Sequence, residues 1–65
     1  MVNLTVFNLL GERVRTLVHG PTPAGVYRVR WNGKDEHLRE APSGTYFFQL
    51  TVGEKQVIKK GTLVR

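Results

Sequence analysis

A chain of 65 residues with no cysteine makes at most one small domain, with neither a disulfide nor a thiolate zinc site to staple it. At this size folding hides only about 60% of the surface the open chain exposes, so stability must come from dense aromatic packing or from another chain. Ten Lys and Arg against five Asp and Glu give a net charge of +5, which permits a polyanionic partner without requiring one.

Val2, Leu4 and Val6 alternate with Asn3, Thr5 and Phe7, the pattern of a half-buried strand. Asn8-Leu9-Leu10-Gly11 reads as a turn in which Gly11 takes positive φ. Arg13 to Val18 forms a second strand, with Val14, Thr16 and Val18 on one face and Arg13 and Arg15 on the other. Leu17 breaks that parity and predicts a bulge or bend. The run from His19 to Gly25 holds two prolines, which cannot donate to a ladder, and is a loop.

A third strand is expected over Val26–Trp31, with Tyr27, Val29 and Trp31 facing the core and Arg28 and Arg30 facing out. Lys34 to Pro42 is too polar for an immediate return strand and reads as an excursion. A fourth strand, Thr45–Val52, sets Tyr46, Phe48 and Leu50 inward against Phe47 and Gln49. Gly53-Glu54 turns the chain into a fifth, Gln56–Val64, in which Gly61 marks a bulge or a close backbone approach. No segment of helical length escapes Gly, Pro or β-branched residues. The class is all-β: an antiparallel sandwich or a small barrel.

The clustered titratable residues are Asp35, Glu36, His37 and Glu40. They suggest an acid–base pair of Asp35 with His37, or a metal set, but a loop on so small a chain offers little concavity to shift a pKa. A solvated polar loop is the preferred reading, with no catalytic residue, cofactor or metal. His19 has no neighbouring partner in the sequence, and the glycines fall singly at strand ends, so no phosphate-cradling loop is present. No apolar run is long enough to span a membrane, and the N-terminal residues do not show the charged-then-apolar pattern of a signal peptide. Phe7 and Phe47 lie opposite their strands' main apolar sets, so each is covered by another element or left as a sticky surface.

Four segments occur in a familiar order: Val6-Phe7-Asn8…Gly11…Val14…Leu17; Ala24-Gly25…Trp31-Asn32-Gly33…Asp35; Pro42-Ser43-Gly44…Tyr46-Phe47…Leu50; and Lys60…Leu63-Val64-Arg65. The set resembles the FlgD-type immunoglobulin-like domain, shared with the C-terminal sorting domains of the type IX secretion system. Asn32 stands where that family usually has Asp, Leu38 where glycine is usual, and Gly61 where an apolar residue is common. The resemblance implies an immunoglobulin-like β-sandwich of about five strands, short of the first strand that family members usually carry. Residues 1–65 would then be one module at the C-terminus of a larger exported protein.

The resemblance also implies a non-catalytic role in secretion sorting or cell-surface attachment, in a secreted or surface location. The flagellar hook-capping scaffold is the related alternative. The expected partner is a protein of the secretion machinery or the surface, met through Arg28, Arg30, Lys59, Lys60 and Arg65. The missing strand predicts an open edge through which copies associate as a homo-oligomer. Two other classes stay open. A polyanion binder, nucleic acid included, needs Arg13, Arg15, Arg28 and Arg30 on one continuous face. A carbohydrate binder needs exposed, coplanar aromatics around Trp31.

Overall fold

The computed structural model describes residues 1–21 and 30–64. They form four strands: β1 (Val2–Phe7), β2 (Arg13–Gly20), β3 (Gly44–Val52) and β4 (Lys55–Leu63). All pair antiparallel in one open sheet of order β2-β1-β3-β4. The sheet is therefore two hairpins joined side by side through β1 and β3. The all-β, antiparallel expectation holds, and these four strands begin and end within a residue or two of where alternation puts them. The expected strand Val26–Trp31 lies mostly outside the described residues, with Tyr27, Arg28 and Val29. Its described end, Arg30 and Trp31, belongs to no strand. Arg65 is also outside the described residues.

Both hairpin turns follow from their sequences. The Asn8 side chain accepts hydrogen bonds from the Leu10 and Glu12 main-chain N–H groups, each at 3.0 Å, and Gly11 completes the turn at φ 80°. Such an Asx cap lets a short polar side chain replace a missing backbone partner. Between β3 and β4 the two-residue turn has Gly53 at φ 58° and Glu54 at negative φ. That suits the II′ class, whose twist matches the flanking strands.

Register fixes the two faces. Val2, Leu4 and Val6 of β1 lie opposite Val52, Leu50 and Phe48 of β3 on the inner face. Asn3, Thr5 and Phe7 lie opposite Thr51, Gln49 and Phe47 on the outer face. In β2 the register shifts twice, between Leu4 and Thr5 and again between Val6 and Phe7, leaving Leu17 and Val14 as extra residues. A bulge sets two successive side chains on one side of a strand. This is how Leu17 reaches the core despite its parity, and Val14 joins it there. The second bulge corrects one expectation: Arg15 aligns with Val6 and Arg13 with Phe7, so these two arginines do not share a face.

The core is centred on Val6, which is completely buried, with Ala41 and Tyr46. Val14, Leu17, Trp31, Phe48 and Leu63 pack around them. Trp31 meets Tyr46 edge-on with ring centroids 4.9 Å apart, and Phe48 at 6.1 Å. Each such contact adds about 0.5–1.5 kcal/mol beyond area burial. Of the core residues expected from alternation, Trp31, Tyr46 and Phe48 are in this cluster. Leu50 is half-buried beside Leu4, outside it. The β4 contribution is small because Gly61 lets the Phe48 ring lie against the backbone. A Cβ at residue 61 would fall 2.8 Å from that ring. Close approach, and not a bulge, explains this glycine, since the β3–β4 register runs unbroken.

Candidate functional site

Residues 31–43 fold back over the inner face as a narrow ribbon. Ala41 N–H donates to the Gly33 carbonyl at 2.8 Å, Asp35 N–H to the Arg39 carbonyl at 2.9 Å, and Lys34 bridges to Glu40. The Trp31 indole N–H donates to the Lys34 carbonyl at 2.9 Å, which satisfies its one polar atom inside an aromatic cluster. Glu36 N–H reaches the Val14 carbonyl at 3.1 Å and stitches the ribbon to β2 at its bulge. The Asn32 side chain accepts from Lys34 N–H at 3.0 Å. An aspartate there would have the same acceptor, so this departure from the family pattern leaves the turn intact.

Asp35 organises the tip. One carboxylate oxygen accepts the main-chain N–H groups of His37 and Arg39, at 2.9 and 3.0 Å, and the other lies 3.5 Å from the Arg39 guanidinium. The Arg39 main-chain hydrogen bond is the chief reason its pKa is held below the ordinary aspartate value. Desolvation is the next influence and opposes it, while the His37 main-chain hydrogen bond and the nearby positive charge help to keep the net shift downward. Leu38 closes the tip at φ 62°, a left-handed conformation in which glycine is the usual residue.

An open cleft of about 510 Å³ lies between this ribbon and the β1–β2 turn, bordered by Glu12, Asp35, Glu36 and His37 among others. Its carboxylates Glu12, Asp35 and Glu36 are engaged in structure. Asp35 meets the backbone of His37, not its imidazole, and Glu36 pairs with Arg13 at 3.3 Å. Among the described residues no three His, Asp or Glu side chains converge on a point where a metal ion could sit.

Of the expected basic surface positions, the described residues include Arg30, Lys59 and Lys60. Lys59 lies opposite Phe48 on the inner side of β4 and Lys60 opposite Phe47 on the outer side, both exposed. Arg30 is exposed beside Trp31, while Arg28 and Arg65 fall outside the described residues. Arg13 and Arg15 are both engaged by the ribbon, on the Glu36 carboxylate and the Asp35 carbonyl, and so serve the module's own structure. Trp31 is half-buried against Tyr46 and Phe48, which removes the exposed platform a sugar would need.

Phe7 and Phe47 are cross-strand partners on the outer face, both half-buried. With Leu9 and Ile58 they line a shallow groove of about 450 Å³. Leu9 is 68% exposed and Ile58 60%. Their off-parity positions are the sequence signal for this surface.

One further bond bears on kinship. The Tyr46 hydroxyl donates to the Pro42 carbonyl at 2.6 Å, four residues upstream at the entrance to β3. This is the tyrosine corner of immunoglobulin-like sandwiches, which ties a strand to its incoming loop. A family model for the FlgD Ig-like domain matches residues 1–56. The chain belongs to the FlgD Ig-like domain family. Members are non-catalytic structural domains, in keeping with polar side chains that here hold loops in place. No curated protein and no solved structure matches the chain. Within the FlgD Ig-like framework, Leu38 and Gly61 are the departures with visible structural consequences.

Proposed function

We propose that this FlgD Ig-like chain is a non-catalytic scaffold module of an exported bacterial assembly, related in role to the flagellar hook-capping scaffold. The observation that carries this reading is the engagement of the polar loop. Asp35, Glu36, Trp31 and Tyr46 direct their hydrogen bonds and ion pairs at the module's own backbone and side chains. What is left to act is surface: the outer face and the sheet edges. Its partners are proteins, another copy of the chain included, and its place is outside the cytoplasm.

Secretion sorting and surface attachment, the other role the resemblance implies, would draw on the basic end of the chain. Lys59 and Lys60 point to opposite faces of β4, so they do not make a single recognition patch, and scaffolding ranks first. Epitope-tagged protein recovered from its host tests this reading. Co-fractionation with extracytoplasmic structural proteins is expected. Recovery as a free cytoplasmic monomer would overturn it.

A further inference from the structure

β4 is an edge strand that pairs, among the described residues, with β3 alone. A free edge presents a row of backbone donors and acceptors ready for another strand. Its side chains come in blocks. Val57 and Ile58 are 48% and 60% exposed on opposite faces, and Lys59 and Lys60 follow them, also on opposite faces. On either face an added strand meets one apolar side chain and then one lysine: Val57 and Lys59 on the inner side, Ile58 and Lys60 on the outer.

We propose that the β4 edge docks an extended acidic segment of a partner protein by strand addition. The segment would run antiparallel, with two carboxylates opposite Lys60 and Lys59 and two β-branched residues opposite Ile58 and Val57. The outer-face apolar side chain then stacks on Ile58 at the rim of the Phe7–Phe47 groove. Backbone hydrogen bonds supply affinity and the alternating side chains supply selectivity. Opposite charges directly across a pair favour this register, and like charges disfavour others.

The same rule argues against a second copy on this edge. In antiparallel self-pairing, setting Val57 opposite itself aligns Lys55 with Lys59. Setting Val57 opposite Ile58 aligns Lys55 with Lys60, and setting Ile58 opposite itself puts Lys59 on Val57. Each register meets a like-charge pair or sets a lysine over an apolar side chain. The inference rests on the scaffold reading and names the chemistry of its partner.

The test is fluorescence anisotropy of a short labelled peptide carrying Glu-Glu-Val-Val at its centre, titrated with the 65-residue chain. A Lys-Lys-Val-Val peptide is the control, and amide chemical shifts map the contact. The acidic peptide should bind roughly tenfold or more tightly than the basic one, weaken with salt, and shift β4 amides. Lys59→Glu with Lys60→Glu should reverse the preference, and Ile58→Thr should weaken both peptides while keeping strand propensity. Equal binding of the two peptides, shifts confined to residues 31–43, or concentration-dependent β4 shifts without peptide (a second copy on the edge) would each overturn the proposal. None of these outcomes bears on whether the chain fractionates with an extracytoplasmic assembly, so the two readings fail separately.

Discussion

The Phe48 ring lies so close to the Gly61 backbone that a Cβ there would stand 2.8 Å from its Cε2. The ring covers a gap in β4 and, from its other side, meets Trp31 edge-on. Gly61→Ala should therefore destabilise the chain by about 1–3 kcal/mol, the usual range for overpacking a filled site. Chemical denaturation of the two proteins checks this. An alanine variant as stable as the parent would mean that Phe48 can move aside freely.

Tyr46 joins the core to the entrance of β3 through its hydroxyl. Tyr46→Phe keeps the ring and its contact with Trp31 but leaves the Pro42 carbonyl without that donor. A loss of about 0.5–1.5 kcal/mol is expected, the net worth of a typical hydrogen bond. Thermal or urea unfolding measures it.

Leu38 is 66% exposed and holds φ 62°, so it bears the left-handed penalty with little burial to offset it. That penalty is about 1–2 kcal/mol for a residue with a Cβ. Glycine gives back roughly 0.5–1 kcal/mol through its larger unfolded-state entropy. Leu38→Gly should thus raise stability by up to about 1.5 kcal/mol, seen as a higher denaturant midpoint at unchanged slope.

Asp35 sets a pH dependence. Its folded-state pKa lies below the unfolded value, so the ionised form favours the fold. The contribution is complete above the ordinary aspartate range and is lost as pH falls through the depressed folded value. Melting temperatures measured from neutral pH down to about pH 2 should fall more steeply for the parent than for Asp35→Asn, which keeps an acceptor oxygen and has no charge to lose. Parallel curves would show that the carboxylate charge plays no part.

Much of the fold was legible because alternation is a direct consequence of strand geometry. Val2 to Phe7 and Thr45 to Val52 announce their faces, and Leu17 announces its bulge by breaking parity. The second bulge at Val14 was hidden because Val14 already fits simple alternation; only the partner register shows that Arg13 and Arg15 have parted. Ala41 is buried because the ribbon folds over the sheet, a long-range event with no local periodicity. Asp35 and its neighbours read in the sequence as a solvated polar loop, with an acid–base pair or a metal set as the alternatives. In three dimensions a carboxylate with two main-chain N–H groups in reach becomes a loop clamp. The outer groove was foreshadowed by Phe7 and Phe47, whereas the role of Ile58 needed the alignment of β4 with β3.

The proposed docking edge implies a division of labour in which the 31–43 ribbon holds the fold and β4 with the outer face meets the partner. Site-resolved photo-crosslinking in the host, with the probe placed at Lys60 in one protein and at His37 in another, measures that division most directly. Both positions are exposed, so neither probe should disturb the fold. Adducts to a discrete protein from position 60 and none from position 37 are predicted; the reverse pattern would contradict docking at the β4 edge.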